Sequence, residues 1–98
     1  MAEGYERMIY AIKQTGRFKR QYKLMEKRGE DMSLLNDIVK KLSLGQPLPP
    51  KNNDHPLKGV WAGSRECHVG PDWLLVYRAD RNALTLELLR TGSHADLF

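Results

Sequence analysis

Three histidines in the C-terminal half are the side chains of this sequence best suited to proton transfer. His55, His68 and His94 each lie close to a proline or glycine that favours a turn, and Asp72 follows His68 across Gly70-Pro71. Imidazole titrates near neutral pH, so it can both take and give protons. RNA cleavage needs both acts, because one group removes the proton of a ribose 2′-OH and another protonates the leaving 5′-oxygen. These side chains therefore form a candidate acid–base set, with purely structural histidines as the alternative.

Cations and aromatic rings in the same half of the chain could complete a nucleotide site, because charge that builds on the phosphate must be stabilised. The candidate cations are Arg65, Arg78, Arg90 and Lys58. Trp61 and Trp73 are most simply anchors of a core, although Trp73 directly follows Asp72 and could form a wall of the site. Phe98 could either pack to fix the end of the chain or stack on a base.

A metal site is the competing chemical interpretation of the histidines. With Asp72 or Cys67 they could form a ligand set. The sequence, however, contains no compact ligand pair such as HxxxH or CxxC. The spacing therefore gives a metal site little support.

Length and composition predict one small soluble domain. A chain of 98 residues can form a single core, so residues 1–98 are interpreted as one domain. No apolar run approaches the length of a bilayer span, and the N-terminus lacks the apolar stretch of a signal peptide. The single cysteine, Cys67, lies in a strand-like run, which favours a buried thiol. Together these features predict a cytoplasmic protein with no membrane association.

The positive charge of the chain is concentrated in its N-terminal half. Residues 1–50 contain ten Lys and Arg against six Asp and Glu, whereas residues 51–98 contain six of each. A helix predicted over 17–28 carries basic side chains at Arg17, Lys19, Arg20, Lys23 and Lys27. Clustered basic side chains release counterions from phosphates, so this surface is a candidate for contact with RNA or the ribosome. A solvated helix face without a partner is the alternative.

Two amphipathic helices are predicted before residue 46. In the first, Phe18, Tyr22 and Met25 recur at helical spacing after a Thr15 cap. The second begins at an Asp31 cap. Its apolar stripe consists of Leu34, Leu35, Ile38, Val39 and Leu42. Neither helix can bury its stripe alone, so both should pack on a sheet.

The remaining pattern predicts that sheet. Strands are expected over residues 8–12, 64–69, 73–78 and 83–90. A proline-rich segment over residues 46–54 should cross the surface as an ordered, extended connection. This order of elements predicts an α+β fold, in which two N-terminal helices pack on one face of a curved, mostly antiparallel four-stranded sheet.

Three ordered motifs carry a resemblance to a known family. They are DHPLKG at residues 54–59, WAGSRECHVGPDWLLVY at residues 61–77 and RTGSHADLF at residues 90–98. With the spacing between them, these motifs strongly resemble the YafQ-type toxins of the RelE/ParE superfamily. The similarity extends over nearly the whole chain, including the two predicted helices.

The resemblance implies a toxin of a bacterial type II toxin–antitoxin system. Such a toxin is a ribosome-dependent endoribonuclease that cuts mRNA in the ribosomal A site. It is held inactive by a cognate antitoxin, through which the complex can lie on operator DNA. The implied fold is small and microbial-RNase-like (RelE-like), without metal or cofactor. The family's active-site residues match this sequence at His55, His68, Asp72, Trp73, His94 and Phe98.

We assign roles to these positions as hypotheses. His94 is the candidate general acid. His68, oriented or aided by Asp72, is the candidate general base, and His55 either contributes charge or acts as the base instead. The products would carry a 2′,3′-cyclic phosphate and a 5′-hydroxyl.

The substrate contacts are assigned in the same way. Arg65 is the candidate phosphate contact and Lys58 a second cation, while Trp73 would buttress the pocket and Phe98 would position the nucleotide. The basic helix would contact the ribosome or the antitoxin. Two other functions stay open, because some superfamily members poison DNA gyrase without cutting RNA, and a plain RNA-binding module would also be basic.

Overall fold

Five strands and three α-helices form the structure, a computed structural model that describes residues 9–98. The helices are α1 (Gly16–Lys27), α2 (Met32–Ser43) and α3 (His94–Leu97). The strands are β1 (Ala11–Gln14), β2 (His55–Pro56), β3 (Arg65–Gly70), β4 (Trp73–Asp80) and β5 (Thr85–Gly92). Two 3₁₀ turns, Pro50–Asn52 and Gly59–Trp61, flank β2. No helix in the described part of the chain is long and apolar enough to span a bilayer.

The strands form one mixed sheet in the order β1-β5-β4-β3-β2. Every neighbouring pair is antiparallel except β1 and β5, which run parallel. The predicted α+β class is confirmed, but the predicted count of four strands is wrong. The two-residue strand β2 is too short to leave a periodic signal in the sequence. The first strand also begins later than predicted, and Met8, at the start of the predicted strand, lies outside the described residues.

The two long helices begin at the predicted caps. The Thr15 hydroxyl accepts a hydrogen bond from the Phe18 N–H at 3.0 Å, and the Asp31 carboxylate accepts one from the Ser33 N–H at 3.0 Å. These side chains satisfy backbone donors that have no partner inside the helix. The predicted helix positions are therefore confirmed to within a residue or two.

Helices α1 and α2 cover one face of the sheet. Phe18, Met25, Leu35 and Ile38 are buried against inward-facing side chains of β3, β4 and β5. One part of the predicted stripe is wrong, because Leu34 is 45% exposed. The buried face of α2 begins at Leu35 and continues through Ile38, Val39 and Leu42 at helical spacing, which leaves Leu34 at its edge.

The opposite face of the sheet is called the site face here. Alternation along β4 turns Leu74 and Val76 to this face, where Leu97 of α3 and Trp61 pack against them. The strand register sets which polar side chains share the face. His55 lies opposite Glu66, Glu66 opposite Val76 and Val76 opposite Arg90, so these four residues form one row across the sheet. His68 lies opposite Leu74, one step further along the same face.

The C-terminal segment differs from the prediction. Strand β5 continues to Gly92, two residues beyond its predicted end, and residues His94–Leu97 form the short helix α3, which the sequence pattern did not predict. Ser93 begins this helix, because its hydroxyl accepts from the Asp96 N–H while the Asp96 carboxylate accepts from the Ser93 N–H. This capping box places His94 in the first turn, above the site face.

Replacement of Thr15 by Ala should lower the free energy of unfolding by about 1–2 kcal/mol, because the cap of α1 is lost. The same hydroxyl donates to the Leu89 carbonyl at 2.8 Å, so its removal also loses one hydrogen bond between the start of α1 and β5. Urea denaturation measures the change. Thr15→Ser keeps the hydroxyl and is the matched control; equal loss in both variants would contradict the assignment.

Candidate active site

His68 and His94 come together on the site face. Their ring centroids lie 6.4 Å apart with the rings steeply inclined. His68 belongs to β3 just before an irregularity in the ladder between His68 and Gly70, and the hairpin turns there into β4. His94 arrives from the other end of the chain on α3. The turn predicted at Gly70-Pro71 is confirmed as the bend of a hairpin between β3 and β4, and two imidazoles approach each other on an open surface.

Asp72 holds His94 and not His68. One carboxylate oxygen, Oδ1, lies 3.1 Å from the backbone N of His94 and 2.9 Å from its ring Nδ1. The expectation that Asp72 orients His68 is therefore corrected. A turn residue with φ 48° directs its side chain across the hairpin tip toward α3, which the sequence spacing did not indicate.

This contact determines the protonation pattern of the His94 ring. An ionised carboxylate only accepts hydrogen bonds, so Nδ1 of His94 must donate, and Nε2 is left to exchange protons. The backbone N–H of His94, and then its ring, hold the pKa of Asp72 below its usual value. The carboxylate consequently stays ionised at neutral pH and keeps the imidazole in one orientation.

His55 has a carboxylate partner that sequence reasoning missed. Its Nδ1 lies 2.7 Å from the Asn53 carbonyl oxygen, and its Nε2 lies 3.7 Å from Oε1 of Glu66. Glu66 is only 7% exposed and stands two residues before His68 on the same face. Strand alternation through His68 was the available signal, because residues two apart point to one side.

Arg65 points away from the histidines. It lies next to Glu66 in β3, so its side chain emerges on the opposite face, where Nε is 3.2 Å from Oδ1 of Asp54. The Tyr77 hydroxyl donates to the same carboxylate oxygen at 2.7 Å. The structure therefore does not bring Arg65 to the histidines, and its charge is already paired with Asp54 within the fold.

Arg90 is a cation that the fold brings to the site face, beside Trp61. Its guanidinium carbon lies 4.5 Å from the centroid of the Trp61 ring, and Trp61 meets Phe98 edge-on at 6.1 Å. Burial, with the nearby charge of Arg17, lowers the pKa of Arg90 from its usual value, although a guanidinium remains charged in proteins. Phe98 is 59% exposed, which leaves its ring available for stacking.

Trp73 supports the site from beneath. It is only 2% exposed and packs among the residues that α1 and α2 cover. Its indole N–H donates to the Thr91 hydroxyl at 2.9 Å, and that hydroxyl donates to the Leu74 carbonyl at 2.8 Å. This position agrees with the expected role of Trp73 as a buttress of the pocket, and burial leaves little of the ring for direct contact with a substrate. Cys67 is buried as predicted, and burial raises its pKa to about 12.

Two open depressions adjoin the site residues. One, of about 360 Å³, is lined by Lys51, Asn52, His68, Val69, Gly70 and Pro71. The second, of about 350 Å³, includes Arg17, Arg78 and Arg90 around Trp61. Lys58 is exposed just before the 3₁₀ turn that carries Trp61.

The predicted basic surface of α1 is divided between two depressions. Arg17 belongs to the depression around Trp61. Lys19 and Lys23 line a separate depression beside Tyr22.

A metal centre finds no support in the geometry of the described residues. Between residues 9 and 98, no group of three or more His, Cys, Asp or Glu side chains is arranged to hold a metal ion. The carboxylates of the site instead each contact one histidine.

Comparison with known proteins identifies the family. The family model described as the bacterial toxin of type II toxin–antitoxin system, YafQ, matches residues 10–98. The chain belongs to the YafQ toxin family. The mRNA interferase toxin YafQ of Escherichia coli K12 is 42% identical over 88 residues, which cover 89% of this chain and 94% of that protein.

Solved structures of YafQ toxins and their relatives share the fold. A metal-bound toxin from Helicobacter pylori matches with a TM-score of 0.85 and 45% identity, covering 91% of this chain and 99% of that one. The toxin–antitoxin complex of E. coli DinJ and YafQ matches with a TM-score of 0.84 and 39% identity, covering 93% of this chain and 99% of the matched chain. The predicted family and fold class are thus confirmed.

Replacement of His94 by Gln should raise the pKa of Asp72, because the ring donor is removed. The pKa should stay below the usual 3.8, since the backbone N–H at position 94 still donates. Carbon-detected NMR titration of the carboxyl groups measures the shift, and the Asp80 carboxyl is the internal control. An unchanged titration of Asp72 would show that the ring does not contact it in solution.

Proposed function

We propose that this YafQ-family toxin is an endoribonuclease that cuts mRNA in the ribosomal A site by histidine acid–base catalysis. The observation that carries the proposal is the pair of imidazoles, 6.4 Å apart on an exposed face, with a carboxylate bound to one of them. The E. coli relative is named an mRNA interferase, and the same activity fits this arrangement. The chemistry needs only side chains that the chain supplies.

His94 is the general acid in this mechanism. Its Nδ1 donates to Asp72, so Nε2 is the atom that gives a proton to the leaving 5′-oxygen. Because Asp72 contacts both the ring and the backbone of His94, the acid is oriented before a substrate binds.

His68 is the general base, acting on the ribose 2′-OH. Its ring lies beside that of His94, with 6.4 Å between the ring centroids, so base and acid can reach neighbouring oxygens of one phosphodiester. Attack of the 2′-oxygen on phosphorus breaks the bond to the 5′-oxygen, and the products carry a 2′,3′-cyclic phosphate and a 5′-hydroxyl. His55 lies opposite Glu66, one strand across and two residues along from His68. It supplies charge at the same face, or acts as the base in place of His68.

Arg90 takes the phosphate-stabilising role that Arg65 cannot fill. It is the arginine of the row that contains His55 and Glu66, and its contact with the Trp61 ring keeps the guanidinium directed over the site face. Charge that develops on the phosphate oxygens is stabilised by a cation already in place. Phe98 would stack on a base, with Arg78 and Arg17 along the neighbouring backbone phosphates.

The partners follow from the charge of the surfaces. The ribosome and its mRNA present phosphates to the basic residues of α1 and to the depression around Trp61. The E. coli relative YafQ is seen in complex with DinJ. We infer a cognate antitoxin for this chain, one that covers the same basic surface, carries the complex to operator DNA and inhibits the toxin in the cytoplasm.

The alternatives, gyrase poisoning and plain RNA binding, account for less of the site. Neither requires two imidazoles to be placed side by side, and neither requires a carboxylate to fix the orientation of one of them. The name of the E. coli relative also favours nuclease activity.

Replacement of His94 by Gln should reduce cleavage of translated mRNA by about 10²–10⁴-fold, because the general acid is lost. Primer extension in a purified translation system measures the cut sites, with the same mRNA free of ribosomes in parallel. Codon-spaced cuts on translated mRNA alone are expected from the wild-type protein. Cuts on both RNAs would remove the ribosome from the mechanism. A folded wild-type protein that makes no cuts would contradict the nuclease proposal and favour the alternatives.

Replacement of Arg90 by Gln should lower kcat by about 10²–10³-fold with a smaller change in KM, because its charge acts mainly in the transition state. The matched control is Arg81→Gln in the exposed turn between β4 and β5, where the same charge is removed far from the histidines. Single-turnover cleavage of mRNA in programmed ribosomes measures both variants. Equal effects in the two would assign Arg90 a general electrostatic role only.

A further inference from the structure

An ion pair joins the end of α1 to the helix that carries His94. Arg28 is the residue that follows α1, and Asp96 lies in α3, 68 residues later in the chain. The two side chains meet through two parallel contacts, Nη1 to Oδ2 at 2.7 Å and Nη2 to Oδ1 at 3.1 Å. A bidentate guanidinium–carboxylate pair constrains orientation as well as distance.

Asp96 already has a structural task inside α3. Its Oδ2 accepts from the backbone N–H of Ser93 at 2.9 Å, so one oxygen receives both the guanidinium and the helix cap. The hydrogen bond from Arg28, followed by that from the Ser93 backbone, keeps the pKa of Asp96 well below its usual value. The carboxylate therefore remains charged at any pH at which the toxin would work.

Gly92 shows how closely the carboxylate is seated. A Cβ atom at this position, where φ is 154°, would stand 2.8 Å from Cβ and 2.9 Å from Oδ2 of Asp96. Only glycine permits that approach. The Asp96 side chain thus lies directly against the end of β5, with Arg28 on its outer side.

Helix α3 requires such support because it is very short. A helix of four residues has too few internal hydrogen bonds to be stable alone. Leu97 anchors its C-terminal end in the apolar cluster with Leu74 and Val76. Its N-terminal end, which carries His94, depends on Asp72 from the hairpin and on the Ser93–Asp96 capping box.

We propose that Arg28 and Asp96 are positioning residues for catalysis, which set the angle of α3 so that His94 stays on Asp72 and beside His68. The proposal rests on the acid role of His94 given above. Neither residue touches a reacting atom; both act through the first turn of α3. Surface ion pairs add little to global stability, so the effect should appear in the geometry of His94 more than in the unfolding free energy.

Arg28→Gln and Asp96→Asn test the pair, since Asn can still cap Ser93 while the ion pair is lost. Each should lower kcat on translated mRNA by about tenfold, with KM within about twofold, because a small displacement of an acid is costly. The double variant should match either single variant, since both remove one interaction. Arg28→Lys keeps the positive charge but loses the two-point contact of the guanidinium, so its activity should lie between those of Arg28→Gln and the wild-type protein.

The control is Lys40→Gln in the exposed last turn of α2, which removes one positive charge at a comparable helix end and should leave kcat unchanged. NMR supplies a readout that does not need activity. The His94 Nδ1–H signal should shift or broaden, and the α3 amides should exchange faster, in Arg28→Gln but not in Lys40→Gln.

Two results would overturn the positioning role. One is a kcat for Arg28→Gln and Asp96→Asn equal to that of Lys40→Gln. The other is an unchanged His94 signal in Arg28→Gln, whatever the activity. If the wild-type protein cuts no RNA, the proposed function fails, and the NMR comparison still decides whether the pair positions His94.

Discussion

The alternation of side chains along the strands is the constraint on which the site depends. Helices α1 and α2 bury one face of the sheet, so every strand residue is assigned either to that core or to the site face. His55, Glu66 and Arg90 share one row of the site face because of the register. A shift of one residue in β3 would exchange Glu66 for Arg65 and would turn His68 into the core.

Polar contacts, more than burial, hold helix α3 and its His94 in place. Helix α3, which carries His94, has one buried side chain. Two carboxylates hold its exposed N-terminal end through polar contacts. Asp72 reaches it from the hairpin tip, and Asp96 connects it to Arg28. Both carboxyl groups have lowered pKa values because each accepts several hydrogen bonds. The two carboxylates therefore stay charged, and the contact with Asp72 keeps the His94 ring in one orientation, although the site is open to solvent.

Family membership and site geometry support one functional picture. The YafQ family model covers residues 10–98, so both helices, the sheet and α3 fall within the matched region. The geometry distinguishes the positions of the two histidines and the arginine at the site. One imidazole is oriented by a carboxylate, a second lies beside it, and an arginine on a tryptophan ring supplies charge. This arrangement suits phosphodiester cleavage on a surface open enough to meet a large ribonucleoprotein.

The sequence alone was sufficient for the α+β class, the two capped helices and the turn between β3 and β4, because caps, turns and periodicity arise between residues a few positions apart. It also identified the family through three spaced motifs. The tertiary structure decided which groups meet. Asp72 contacts His94 and not His68, which is nearer in the sequence. Arg65 faces away from the site, and Arg28 forms an ion pair with Asp96. Those pairings depend on strand register and on the docking of helices distant in the chain, which no local spacing encodes.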